Sequence, residues 1–276
     1  MTTTATQEAF LRSFHAERPA VTVEAMGRGR GPRGLSSYEL LCELVDGAGS
    51  VLDLGCGDGA LLELLGQDAG RALAGVDLSA EALALAYGRS AIPRGATLVQ
   101  GRGQELPFVD GAFDACVSHM ALMLMGDVEQ VVAEVARVLV PGGVLACVVG
   151  GGPGGDGEAY DVFLRLLKPL VRALPADRRI PALGDRRTRS RDGLDDLLRD
   201  GGFGPVEWET LPLRLSGSVE EVWTTLSGMY DLGPLDPSDV ASLRKGFLGE
   251  VERIRTPSGD VPCAMWIHLA RARLLR

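Results

Sequence analysis

Val51-Leu52-Asp53-Leu54-Gly55-Cys56-Gly57-Asp58-Gly59 is the stretch whose reading decides the fold. Val51, Leu52 and Leu54 predict a buried strand. Gly55, Gly57 and Gly59 predict a turn that presents backbone to a ligand, and Ala60 to Leu65 predicts the start of a helix. Such a turn lets the chain approach a small molecule closely, with helix amides aimed at it. The segment therefore reads as a nucleotide-cofactor loop.

Outward from it, strands and helices alternate. Ala72 to Asp77, Thr97 to Gln100, Phe113 to Ser118 and Val144 to Val149 predict four further strands. An Ala/Leu-rich helix lies between Ser79, a good N-cap, and Gly88. Val128, Val131, Val132, Val135 and Val138 recur at helical spacing over about 127–139; Asp127 is read as its cap, and Pro141-Gly142-Gly143 as its stop. Alternation of this kind predicts a doubly wound α/β sheet. After a glycine-rich loop at 150–157 the rhythm changes. Helices are expected over 158–174, 194–200, 218–232 and 237–254, and strands over Val206 to Leu215 and Val261 to Leu269. The chain is read as one domain: an N-terminal helical cap (1–45), a cofactor-binding core (46–150), and C-terminal strands (151–276) carrying helical lid insertions at about 158–190 and 218–254.

Composition sets limits. The 276 residues carry a formal net charge of -9, which argues against a nucleic-acid partner, and hydrophobic content is 46%. The five cysteines form no Cys-x-x-Cys pair and read as buried thiols, with no metal site expected. No apolar run approaches the ~20 residues of a membrane span, and residues 1–19 lack a signal core, so a cytoplasmic protein is expected. The oligomeric state is not legible.

With these residues in view, the chain resembles the class I S-adenosylmethionine-dependent methyltransferases. The segment 51–59 resembles their first motif. Val76-Asp77-Leu78-Ser79, Gln104-Glu105-Leu106-Pro107-Phe108, Phe113 to His119, and Arg137 to Gly143 resemble four further segments in the right order. The resemblance implies a Rossmann-like seven-stranded sheet with an antiparallel last strand, S-adenosyl-L-methionine as cofactor, and methyl transfer. A nicotinamide-binding fold also fits Gly55-x-Gly57-x-x-Ala60 and Asp77. Asp53 before the glycines and the Pro-Gly-Gly turn favour the methyltransferases.

The resemblance places the cofactor against Asp53, Gly55, Cys56, Gly57, Gly59, Asp77, Leu78, Arg102, Gly103, Gln104 and Ser118. Asp53 is a candidate acceptor for the cofactor ammonium, or else satisfies turn amides; Asp77 offers two oxygens to two ribose hydroxyls. Where many relatives carry an acid after the third strand, this chain has Gly101-Arg102-Gly103. Arg102 cannot accept a hydrogen bond, so adenine would be read by Gly103 and Gln104, with Arg102 stacked on its face or merely solvated.

His119, at the carboxyl edge of the fourth strand, is read as a general base, against a packing role. The acceptor is expected against His15, Tyr38 and Met123. Arg186 and Arg187, with the clusters at 178–191 and 28–33, would hold an anionic acceptor unless those loops are simply solvated. The expected function is methyl transfer to an O, N or C atom of a small organic molecule, a specialised metabolite. The alternatives are a cofactor-binding cyclase or other non-methylating enzyme on the same fold, and a cofactor-dependent regulatory module.

Overall fold

Strands β1 (Ser50–Leu54), β2 (Ala72–Asp77), β3 (Thr97–Gln100), β4 (Phe113–His119), β5 (Leu139–Pro153), β6 (Glu207–Arg214) and β7 (Ala264–Arg273) form one sheet in the order β3-β2-β1-β4-β5-β7-β6. The computed structural model describes residues 4–68 and 70–275. The first five strands run parallel, and β7 is antiparallel to both β5 and β6.

The two-residue period of the strands separates two cores. Val51, Leu73, Ala115, Val117, Val144, Ala146 and Val148 face one side. Leu52, Leu54, Val76, Cys116, Leu145, Cys147 and Val149 face the other. Near-continuous apolar strands are therefore a consequence of burial on both faces.

Ten helices are described: α1 (Thr4–Glu17), α2 (Val21–Met26), α3 (Ser37–Glu43), α4 (Ala60–Leu65), α5 (Ala80–Gly88), α6 (Val128–Val138), α7 (Ala159–Ala173), α8 (Arg191–Asp200), α9 (Val219–Leu226) and α10 (Pro237–Val251). The valine stripe of α6 and Leu194, Leu197 and Leu198 of α8 cover the second core. Helices α3, α4, α5, α7, α9 and α10 cover the first. No helix among the described residues is long and apolar enough to cross a membrane.

Several expectations need correction. Asp127 sits in the left-handed region (φ 45°) and its side chain caps nothing. Pro141-Gly142-Gly143 lies inside β5, where the register jumps from Phe113–Leu139 to Ala115–Val144. The strand also runs on past Val149 to Pro153, because β7 offers it a second ladder through Met265. Helix α8 begins at Arg191, earlier than expected, Gly193 having hidden its first turn. The closing strand is 264–273, displaced from 261–269; Val261 instead bridges to Gly217. The two segments read as lid insertions pack on each other and supply Tyr160, Leu226, Met229 and Tyr230 to a cleft described below. Phe163 of α7 packs edge-on against Trp223 of α9 and Phe247 of α10, and Phe163 and Phe247 are fully buried.

Candidate active site

The glycine turn is fastened to the end of β2. The amides of Gly55 and Cys56 both donate to the Val76 carbonyl, at 2.8 and 3.0 Å. Gly55 has φ +77°, and a Cβ there would lie 2.4 Å from that of Ala121, so only glycine fits. The Gly57 amide donates to Asp77 Oδ2 at 2.7 Å and the Ser79 amide to Asp77 Oδ1 at 2.8 Å. Each Asp77 oxygen has spent one lone pair on backbone and retains another. Gly59 does different work from that expected: it precedes α4 with φ +80°, and a Cβ would strike Ile92 at 2.6 Å. Its role is packing, and it does not line the clefts described next.

Three adjoining clefts open at the carboxyl ends of β1, β2 and β4, the usual ligand position for an open α/β sheet. The first, about 670 Å³, lies between Val76, Asp77, Leu78, Gly103, Gln104 and Met125 on the sheet side and Gln7, Glu8, Leu11 and His15 of α1. The second, about 580 Å³, is lined by Asp53, Gly55, Cys56, Gly57, Asp77, Tyr38, His119, His15 and Tyr230. The third, about 690 Å³, is lined by Met26, Met120, Met123, Met229 and Met265 with Val21, Leu226, Tyr160 and Tyr230. Thr22, Met120, Leu124 and Tyr230 line both the second and the third.

The second cleft holds the strongest electrostatic signal. Asp53 is 1% exposed, and neither carboxylate oxygen has a hydrogen-bond partner. Burial, followed by the nearby Asp77 and Asp58 carboxylates, pushes its pKa well above the usual carboxylate range. His119 Nδ1 is likewise buried and unpartnered. Orphaned buried polar groups are rare because each costs about 1–3 kcal/mol, more when charged. A cationic hydrogen-bond donor entering this cleft satisfies Asp53 directly.

His119, read from the sequence as a general base, stands in the second cleft. Its Nε2 lies 2.8 Å from Ser37 Oγ, its ring stacks on Tyr38, and burial pushes its pKa down to about 3. It lines the second cleft beside Asp53 and does not line the third. Tyr38 lines the second cleft too, through that stack. Ser118 is fully buried; its hydroxyl donates to the Leu54 carbonyl and accepts from the Leu122 amide, so it braces the strand end and lines none of the three clefts.

Arg102 does not stack over the first cleft. It is paired with Glu8 of α1 at 2.7 Å and ties that helix down. The Gln104 side chain lines the first cleft but donates to the Gly126 carbonyl. The expected anion-binding arginines are spent elsewhere. Arg187 pairs with Glu129 and Asp185, Arg33 with Glu43, and Arg28 donates to the carbonyls of Leu215 and Ser216. Arg186 is exposed and, like Arg187, lines none of the three clefts. Arg189 donates to the Met123 carbonyl at 3.3 Å and bears electrostatically on Tyr160 and Tyr230. Met123 does line the third cleft. Tyr230 escaped the sequence reading: it is one tyrosine in a turn after α9, and its partner His15 lies 215 residues away. The five methionines of the third cleft come from four segments; Met120 and Met123 share one methionine-rich stretch, whereas Met26, Met229 and Met265 are brought to it only by the fold.

Residues 52–147 match the family model described as a methyltransferase domain. The chain is 33% identical over 178 residues to a ubiquinone/menaquinone biosynthesis C-methyltransferase of Desulfotalea psychrophila, covering 62% of this chain and 72% of that one. The chain belongs to the class I S-adenosylmethionine-dependent methyltransferases. This methyltransferase is also 30% identical over 171 residues to a demethylmenaquinone methyltransferase of Listeria welshimeri, again covering 72% of that protein. It spans about half the length of several other curated relatives it matches, 45% of one and 57% of another. Among solved structures it resembles phosphoethanolamine N-methyltransferase 2 of Haemonchus contortus in complex with phosphomonomethylethanolamine and S-adenosylhomocysteine. The TM-score is 0.59 at 17% identity, over 98% of this chain and 60% of that one, a likeness of fold. The cofactor of this methyltransferase is S-adenosylmethionine, whose ammonium is a donor of the kind that Asp53 lacks.

Proposed function

We propose that this methyltransferase acts on a small, uncharged, largely apolar acceptor bearing a ring hydroxyl, methylating that oxygen or an adjacent ring carbon. The observation that carries this is the lining of the third cleft: five methionines, aliphatic side chains, and no carboxylate, lysine, arginine or histidine. An anion there would be desolvated with no cation in the cleft lining, Arg189 behind Tyr160 and Tyr230 being turned to Met123, and such desolvation costs several kcal/mol. Methionine is polarisable and adapts to flat or irregular apolar ligands. The names of the Desulfotalea psychrophila and Listeria welshimeri relatives point to quinone-type acceptors. A hydroxylated specialised metabolite presents the same chemistry.

In this reading, Asp53 and His119 Nδ1 hold the amino-acid end of the cofactor. Asp77 uses its free lone pairs on the ribose hydroxyls, and Leu78, Gly103 and Gln104 flank the base. When bound, S-adenosylmethionine supplies a sulfonium-activated methyl group. Helix α1, held by Arg102–Glu8 and by the bond from Gln7 Nε2 to the Ala182 carbonyl (2.8 Å), covers the first cleft and excludes water. Alignment of acceptor and methyl in a dry site is the principal source of rate.

The test is label transfer from trideuteromethyl cofactor to 2-naphthol and to its carboxylated analogue 6-hydroxy-2-naphthoate. Label on the neutral naphthol and little on the carboxylate supports the proposal, and the reverse preference contradicts it. Acceptor conversion without label would favour the non-methylating alternative.

A further inference from the structure

We infer that Tyr230 and His15 form the proton relay of the acceptor, Tyr230 taking the proton from the acceptor hydroxyl and passing its own to His15. This rests on the proposed acceptor class. The ionisable side chains lining the third cleft are Tyr160 and Tyr230, and of the two only Tyr230 also lines the cofactor cleft. A group that removes the acceptor proton must lie within hydrogen-bond reach of it, and the methyl is delivered where the two compartments adjoin. Tyr230 Oη lies 3.1 Å from His15 Nε2. His15 in turn lines both cofactor clefts, so the pair sits where all three meet.

The arrangement is held rigidly. The Tyr230 ring packs on Phe14 at 4.4 Å between centroids, and Phe10 lies behind it at 6.1 Å. Burial raises the Tyr230 pKa, so the side chain stays protonated and holds no phenolate ready to act as a base. It works only by releasing its proton as it takes another. His15 is suited to receive it: burial lowers its pKa, the facing Asp77 carboxylate opposes that shift, and the imidazole is neutral at neutral pH. Asp77 bears on Tyr230 as well, while Arg189 lowers its pKa; its chain neighbour Asp231 has a pKa raised by burial. On the His15 helix, Arg18 is turned to the Ser227 carbonyl and the Phe14 face.

The bookkeeping is complete. The acceptor oxygen or its ring carbon bonds to the methyl carbon, and the carbon–sulfur bond breaks with its electron pair on sulfur. The hydroxyl proton moves to Tyr230 Oη as the Tyr230 proton moves to His15 Nε2. The resulting imidazolium releases a proton to solvent after the step.

The relay requires His15 to carry its proton on Nδ1 and accept at Nε2. Nitrogen-15 NMR of the protein with S-adenosylhomocysteine reads this without any acceptor. Unprotonated Nε2 at neutral pH is expected, and a protonated Nε2 overturns the relay. With 2-naphthol and S-adenosylmethionine, Tyr230→Phe should lower kcat about 10²-fold with KM for the cofactor little changed. Wild-type kcat should fall on acidification with an apparent pKa below about 6.5. In His15→Gln, which keeps a hydrogen-bond acceptor but no proton acceptor, that limb should vanish at reduced rate. Wild-type kcat in Tyr230→Phe, or an unaltered acid limb in His15→Gln, overturns the relay. No turnover of 2-naphthol by wild type contradicts the acceptor class instead, and the NMR result still decides the relay.

Discussion

The ring of Tyr38 lies on the imidazole of His119, with centroids 3.8 Å apart and planes 16° from parallel. The stack closes one side of the cleft that contains Asp53 and holds His119 neutral. It places a histidine at the sheet edge inside the second cleft, beside Asp53.

His119 should leave a signature in acid stability. The unfolded chain binds its proton below about 6.5, whereas the folded chain does not until about 3. Between those values the unfolded state holds one proton more, so stability falls as pH falls, by about 1.4 kcal/mol per pH unit. Relative to wild type, His119→Asn should lose less stability over that window in urea titrations at stepped pH. An identical pH slope in the two proteins would show the imidazole to be solvated.

Asp53 is expected to behave in the opposite sense. Its folded pKa is raised, so the carboxylate disfavours the cofactor-free fold at neutral pH and the strain is relieved as pH falls through that value. Asp53→Asn should therefore raise the Tm of the free protein at neutral pH, with the gain shrinking on acidification. The same substitution should weaken S-adenosylmethionine binding about tenfold or more, through loss of a charge-assisted hydrogen bond. Scanning calorimetry and titration calorimetry on one preparation read both.

Arg187→Ala should leave acceptor KM unchanged. Its guanidinium is committed to Glu129 and Asp185 outside the clefts. With side chains 42%, 64% and 29% exposed, these pairs contribute no more than about 1 kcal/mol of stability. A raised KM for a neutral acceptor would place this loop in the site after all.

Phe247→Ala should destabilise the protein by about 3–5 kcal/mol, because it empties the joint between α7, α9 and α10. Denaturant unfolding measures it. A loss below 1 kcal/mol would mean that these insertions are loosely attached lids.

How far the sequence reaches follows from distance along the chain. Val51 to Gly59 and Asp77 lie within one strand–turn–helix–strand unit, so their apolar runs and glycines reveal both the fold and the place of the cofactor loop. The Gly57–Asp77 bond spans 20 residues. His119 was legible as an edge residue, but its partner Ser37 comes from α3, 82 residues earlier. Arg102 and Arg187 were legible as cations; their carboxylates on α1 and α6 were not. Gly59 and Ser118 lie in the right motif but serve packing, a distinction that only neighbours such as Ile92 and Leu122 make visible.

The most direct test of the three-cleft account is a crystal structure with S-adenosylhomocysteine and 2-naphthol bound together. The cofactor ammonium is expected against Asp53, and the naphthol ring among Met120, Met123 and Met265 with its hydroxyl on Tyr230 Oη. A naphthol hydroxyl facing His119, or an ammonium turned away from Asp53, would contradict the account.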